Sequence, residues 1–265
     1  MLKFFAVFII DKNPMDINKE YYMSPSYKKE NISQRWDMEW INYFRTESTK
    51  THFSLPDDFA SSDKMLIKNM FFREVFDLKF EKDKGAPGGL CIWVSGSDIV
   101  DKNIFEMGCG CGYLGKQLGL ICKEYLGIDH SRLALCIARL TSPSNCNYYH
   151  TSEIDEVRKS FKGRFNTMIG RYFFIHQNYE SLTEILNLAH ILLKIGGRIW
   201  ADFFLKTPKC TGKIYPARTR SEELSCAYEF TDEEIETVCK AHNFRSISIE
   251  RIEELERKFV CLEKY

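Results

Sequence analysis

From residue 103 onward the chain alternates short apolar runs with stretches in which apolar positions recur every three or four residues. Asn103–Met107, Glu124–Ile128, Cys146–Tyr149, Asn166–Gly170 and Arg198–Phe204 have the length and apolarity of buried strands, whereas Tyr113–Cys122 and Ser131–Leu140 carry helical periodicity. Ser181-Leu-Thr-Glu184 is a capping box that opens a long amphipathic helix through Leu193, and Lys194-Ile-Gly-Gly197 closes it as a glycine C-cap. Thr231-Asp-Glu-Glu234 is a second capping box, opening a helix through Lys240. Phe244–Arg251 and Lys258–Leu262 read as two strands joined by a short polar loop. Strands alternating with helices imply an α/β fold with a parallel sheet and right-handed crossovers. The final pair of strands implies an antiparallel hairpin.

The residues before this region have another character. Positions 15–80 read as mostly helical and aromatic-rich, with Trp36, Trp40 and Phe44 at i, i+4 and i+8 on one helix face. A further helix is expected near Asp63–Leu78, and Glu81-Lys-Asp-Lys-Gly-Ala-Pro-Gly-Gly89 reads as a flexible connector. The expected division is therefore 1–89, a helical N-terminal cap and connector, and 90–265, the α/β domain. The apolar run Met1–Ile10 is too short to span a bilayer and lacks the small-residue cleavage site of a secretory signal. It reads as an element packed on the domain or as upstream sequence ahead of Met15.

The richest stretch is Ile104-Phe-Glu-Met-Gly-Cys-Gly-Cys-Gly-Tyr-Leu-Gly115, followed by Leu126-Gly-Ile-Asp129. A strand ending at an acid, a glycine turn, a helix and a second strand ending at an acid place a nucleotide-like ligand over the ends of two parallel strands. Asp129 comes about 20 residues after the turn, as expected of a carboxylate that accepts from ribose hydroxyls. Two ligand classes compete. Gly110-x-Gly112-x-x-Gly115 matches the dinucleotide pattern, but a pyrophosphate beside Glu106 is electrostatically unfavourable. Gly115 then falls inside the helix as a close helix–sheet contact.

Composition narrows the reading. Lys plus Arg and Asp plus Glu both number 37, so the formal charge is zero, which argues against a nucleic-acid partner. Ten cysteines are scattered without a CxxC pair, so neither a metal site nor a redox motif is expected, and reduced thiols in a cytoplasmic protein are.

Glu106-x-Gly108-x-Gly110-x-Gly112 resembles motif I of the class I S-adenosylmethionine (SAM)-dependent methyltransferases. Phe165-Asn-Thr-Met-Ile-Gly-Arg171, Leu192-Leu-Lys-Ile-Gly-Gly-Arg198 and Phe230-Thr-Asp-Glu-Glu-Ile235 resemble later motifs of that family. The resemblance covers residues 100–265 and implies a Rossmann-like, doubly wound, seven-stranded sheet with an antiparallel C-terminal hairpin. It further implies SAM as cofactor and S-adenosylhomocysteine (SAH) as product. On that resemblance, Glu106, Gly108, Cys109, Gly110 and Gly112 would hold the methionine part. Asp129 would take the ribose, with Ile128 and His130 flanking the adenosine. Ser152 and Glu153 would reach the adenine amine, and Gly170 and Arg171 would lie beside the cofactor. The Asp/Asn-Pro-Pro-aromatic motif of base-amine methylases is absent, and Ile169-Gly-Arg-Tyr172 stands in its place.

The expected function is methyl transfer to oxygen or nitrogen of a small molecule. Methylation of protein or RNA, and a non-catalytic SAM-binding regulator, are the alternatives. His176 is the candidate base, Arg171 a candidate for a substrate anion, and Tyr22, with Tyr21 and Tyr27, a candidate to close over the substrate. The basic excursion at 205–229, with Lys206, Lys209, Lys213, Arg218 and Arg220, hints at an acidic acceptor group. The acceptor, the oligomeric state and the role of residues 1–14 are not legible.

Overall fold

The computed structural model describes residues 32–46, 94–208, 214–221 and 227–265. Five strands run parallel: β1 (Asn103–Met107), β2 (Glu124–Asp129), β3 (Cys146–His150), β4 (Phe165–Gly170) and β5 (Leu193–Phe204). Their spatial order is β3-β2-β1-β4-β5, so the chain reverses its march across the sheet between β1 and β4. The helices are α1 (Ile32–Thr46), α2 (Tyr113–Leu118), α3 (Arg132–Thr141), α4 (Ile154–Ser160), α5 (Tyr179–Leu192) and α6 (Asp232–Ala241).

Two three-residue strands, β6 (Ile214–Pro216) and β7 (Ala227–Glu229), extend the sheet at Phe204↔Glu229. β8 (Phe244–Ile252) and β9 (Arg257–Lys264) form the expected hairpin. β9 lies antiparallel to β5 from Arg198↔Glu263 to Phe204↔Arg257. The seven expected strands are present, and the sheet gains β6 and β7 within the excursion after β5.

Consecutive residues of β1 explain the two layers, because successive side chains on a strand leave opposite faces. Phe105 and Met107 pack with Leu182, Leu186 and Ala189 of α5 and with Ile235 of α6. Ile104 packs with Leu114 and Leu118 of α2, Tyr125 of β2 and Leu135 of α3. Both faces are covered, so the strands read as continuous apolar runs rather than alternating ones.

Three local expectations differ from the structure. α2 ends at Leu118 rather than Cys122, where Gly119 passes so close to β3 that a Cβ would stand 2.6 Å from Cys146 Sγ. The N-cap of α5 lies three residues ahead of the expected Ser181, because Asn178 Oδ1 accepts from Ser181 N–H and takes that role. Lys194–Gly197 does not cap that helix. β5 already pairs with β4 at Leu193, and the register then jumps from Phe165↔Leu193 to Thr167↔Arg198, leaving the four residues bulged outward. Lys264 Nζ takes the capping role instead, donating to the Leu193 carbonyl at 2.8 Å and to that of His190.

Two features beneath the glycine turn have measurable consequences. Gly115 lies against the sheet, where a Cβ would overlap the Tyr148 hydroxyl and stand 2.8 Å from a Tyr125 ring carbon. Glu106 is buried and accepts from the Tyr125 hydroxyl. Burial pushes its carboxyl from 4.5 up to about 8, against the pull of the Tyr125 bond and of the Arg171 charge.

Gly115→Ala is expected to lower stability. Overpacking costs about 1–3 kcal/mol, against the roughly 1 kcal/mol that alanine gains in helix propensity. Adding Tyr148→Phe, which removes the overlapping oxygen, restores part of the loss in denaturant unfolding. Glu106 makes stability pH-dependent. Because folding raises its pKa, the folded chain holds this proton more tightly than the unfolded chain. Its contribution is complete below 4.5 and is lost as pH climbs through about 8, at no more than about 1.4 kcal/mol per pH unit. Melts between pH 6 and 9 are expected to show a decline that Glu106→Gln flattens. Parallel curves for the two proteins would contradict this.

Candidate functional site

β1 delivers its turn to the C-terminal edge of the sheet, at the point where the strand order reverses. In open α/β sheets ligands bind in that crevice. Gly108 and Gly110 hold φ of +70° and +50°, a region that side chains enter only at a cost. Side chains are also excluded by crowding. A Cβ on Gly108 would overlap the Phe173 ring, and one on Gly110 would enter the Trp40 ring. The turn thus offers bare backbone between two aromatic walls.

Asp129, at the end of β2, organises the turn. Its Oδ2 accepts from Gly110 N–H and its Oδ1 from Ser131 N–H, each at 2.8 Å. Burial pushes its pKa up, and these backbone donors pull it back. A carboxylate has about four lone-pair sites, so acceptor capacity remains for a ligand. Ser131 is in turn the N-cap of α3, accepting from Ala134 N–H at 3.0 Å.

The end of β3 is a closed polar knot. His150 Nδ1 accepts from Ser152 N–H at 3.1 Å, which leaves the Nε2 proton to donate to the His130 carbonyl at 2.9 Å. Glu153 Oε2 accepts from His150 N–H at 2.7 Å. His150 therefore caps the turn Thr151–Glu153, with the Ser152 N–H and the Glu153 carboxylate as its partners. His130 Nδ1 lies 2.8 Å from Thr151 Oγ1, and burial, with His150 nearby, lowers its pKa to about 4, so its ring is neutral at neutral pH.

Beyond β4, Gly170 is covered by the Phe174 ring, whose Cδ2 would lie 2.6 Å from a Cβ. The Arg171 guanidinium sits over the rings of Tyr113 and Tyr172, at 5.3 and 4.8 Å from their centroids. His176 ends the one-turn helix Phe174–His176, with its ring 6.2 Å from that of Trp36 in an edge arrangement.

Helix α1 closes the edge. Ser33, Trp36, Asp37 and Trp40 fall at i, i+3, i+4 and i+7, on one face. Ser33 Oγ is 3.2 Å from Nε2 of His150, the last residue of β3. Trp36 meets His176, beyond β4. Asp37 Oδ1 accepts from Ser131 Oγ at 2.5 Å and Leu133 N–H at 3.0 Å, beyond β2. Trp40 covers Gly110, beyond β1. Each of four parallel strands thus meets the helix through its last residue or the segment that follows it.

The structure gathers Gly108, Gly110, Asp129, His130, Gly170, Arg171 and His176 at one edge. Glu106 and Cys109 lie beneath it, buried, with Cys109 Sγ within 2.7 Å of where a Gly127 Cβ would be. Gly112 is the N-cap of α2. Tyr22, with Tyr21 and Tyr27, lies outside the described residues, as do Lys209 and Lys213. Arg218 and Arg220 pair with the chain's own acids, Glu234 at 3.6 Å and Glu180 at 2.8 Å. Asp37, His150 and Asp202 join the site without having been picked out by sequence. Asp37 follows Trp36 directly, on the same stripe, and Asp202 is an acid inside the apolar run of β5. Among the described residues no cluster of three His, Cys, Asp or Glu could hold a metal, and no helix is long and apolar enough to cross a membrane.

The sequence matches no family model and no curated relative. Solved structures do match. A magnesium protoporphyrin IX methyltransferase from Synechocystis PCC 6803, solved with bound SAM, aligns at TM-score 0.54 and 13% identity over 92% of this chain and all of that one. The same enzyme with bound SAH aligns at TM-score 0.53 and 12% identity over 90% of this chain. An S-adenosylmethionine-dependent methyltransferase from Mesorhizobium loti aligns at TM-score 0.50 and 14% identity over 63% of this chain and 93% of that one. The chain thus has the Rossmann-like fold of the class I SAM-dependent methyltransferases.

Proposed function

We propose that the protein is a SAM-dependent methyltransferase acting on oxygen or nitrogen of a small-molecule acceptor. The observation that carries this reading is the Asp129 corner. There a carboxylate is held by the N–H groups of Gly110 and Ser131, with acceptor positions to spare, beside a glycine turn stripped of side chains. These residues fit a nucleoside with a small zwitterionic tail. The neighbours solved with SAM and SAH support that choice. The electrostatic objection to a pyrophosphate weakens once Glu106 is seen to be buried and largely protonated at neutral pH. Antiparallel β9, inserted between β5 and β8, now weighs more against a dinucleotide enzyme.

In this reading Asp129 accepts from the ribose hydroxyls, the Gly108–Gly110 backbone lies along the tail, and Glu106 supports the turn from below through Tyr125. Bound SAM would supply a strongly electrophilic methyl group. The chain's own part is to align the acceptor, exclude water and receive a proton. α1 forms the inner wall of a cap, with Trp36 and Trp40 keeping water from the crevice. We assign His176, beside Trp36 past β4, to take the acceptor's proton.

Calorimetric titration with SAM, SAH and NADH tests the cofactor. Micromolar SAM and SAH binding is expected, weakened at least tenfold by Asp129→Ala through loss of about 1.5–3 kcal/mol of charged hydrogen bonding, with a melting curve confirming that the variant is folded. Clear NADH binding without SAM binding sinks the reading. Tryptophan fluorescence tests the cap. SAH is expected to change the emission, Trp40→Phe to remove most of that change, and Trp200→Phe, at an indole that donates to Asp98 ahead of β1, to leave it. A response carried by Trp200 would refute the role given to α1.

A further inference from the structure

We propose that the acceptor bears a carboxylate-type anionic group held by the Arg171 guanidinium while its flat body rests on the Tyr172 ring, and that buried Asp202 is the positioning residue that keeps this pair in place. The inference rests on the methyltransferase reading above.

Its first support is location. Arg171 and Tyr172 follow β4, Asp202 stands near the end of β5, and Arg257 opens β9 opposite Phe204. All four lie on the β4–β5 side of the crevice. The Asp129 corner and the His150 knot occupy the β1–β3 side. A nucleoside anchored at Asp129 leaves the Arg171 side to the second substrate.

Charge is the second support. Arg171 forms no ion pair with a carboxylate among the described residues. Its guanidinium is instead stacked over Tyr113 and Tyr172. Stacking restrains the plane of a guanidinium and leaves its edge N–H groups in a fork that matches a carboxylate. The other guanidiniums nearby are engaged. Arg218 and Arg220 have their glutamates, and Arg257 donates through Nη1 to the Glu256 carbonyl at 2.9 Å and lies 3.7 Å from Asp202. The two buried acids that face Arg171, Glu106 and Asp202, are both pushed up by burial, to about 8 and about 7, so neither supplies a full counter-charge at neutral pH.

Third, Tyr172 is held in an unfavourable conformation. Its φ is +54° although it is not glycine, and the residue is 56% exposed, its ring beside two guanidiniums, Arg171 at 4.8 Å and Arg257 at 5.5 Å. Side chains enter the left-handed region only at a cost, and such strain persists where the surroundings over-determine it, often at functional sites. Asp202 is what over-determines it. Its Oδ2 accepts from Tyr172 N–H at 3.0 Å while the residue is only 2% exposed, and its Oδ1 is buried without a hydrogen-bond partner among the described residues. Burying a half-satisfied acid costs stability. What it secures here is the turn that carries Arg171.

Benzoate and its neutral counterpart benzamide, each titrated by ligand-observed NMR into SAH-saturated protein, test the proposal. Benzoate is expected to bind at least tenfold more tightly. Arg171→Gln should bring the ratio to about one, and Tyr172→Ala should weaken both probes. Asp202→Leu should cut the ratio, whereas Asp202→Asn, which can still accept from Tyr172 N–H, should keep most of it. SAH affinity should stay unchanged in all four variants. Equal binding of the two probes, binding of neither at millimolar concentration, or a ratio that survives Arg171→Gln overturns the proposal. Loss of SAH affinity in Arg171→Gln also overturns it, by moving Arg171 to the carboxylate of the cofactor. If the unaltered protein fails to bind SAH, the methyltransferase reading itself has failed, and this inference falls with it.

Discussion

The edge of this sheet hangs on one carboxylate. Asp129 receives N–H groups from the turn after β1 and from the turn after β2, and so fixes the spacing between two strand ends. Without it, both donors would lie buried without these partners, a penalty of about 1–3 kcal/mol each. Ser131 passes the constraint onward. The residue that gives Asp129 its backbone proton also caps α3 with its side chain and donates to Asp37 of α1. The glycine turn, the start of α3 and the covering helix are thus tied to a single corner.

What the sequence disclosed and what it hid follow a physical rule. β1, the turn and β2 were legible because burial on both faces demands unbroken apolar runs, and a glycine-only turn cannot be disguised. The seven-residue α4 was not anticipated, because it buries Val157 alone and so displays no period. The bulge at 194–197 imitates a C-cap in composition, and only pairing with β4 reveals that Leu193 already belongs to the sheet. The site was half visible. Motif residues declared themselves by spacing, but Asp202 lies within an apolar strand as an apparent exception, and its meaning depends on Tyr172, thirty positions earlier. The Trp36–Trp40 stripe announced a buried face without saying what it faced.

Electrostatics inside the crevice differ from the first impression. The acid ending β1 suggested a negative charge aimed at the ligand. In the structure Glu106 is a shielded carboxyl bonded to Tyr125, and the charge that stands on the β4 side of the crevice is that of Arg171. Burial accounts for the change. An apolar cover raises the cost of ionising an acid far more than it affects a guanidinium.

The reach of α1 bears on how such a chain is made. The partners of Ser33 and Asp37 lie 94, 96 and 117 residues further along. During translation, which runs from the N-terminus, these residues leave the ribosome before any strand they will cover has been synthesised. Two tryptophans therefore wait exposed until β1 to β4 have paired. Contacts this distant in sequence form late because loop closure must precede them. Helix α1 is the first of the described elements to be built and among the last to find its place, and a growing chain of this kind is most open to chaperones, or to its neighbours on the same message, in that interval.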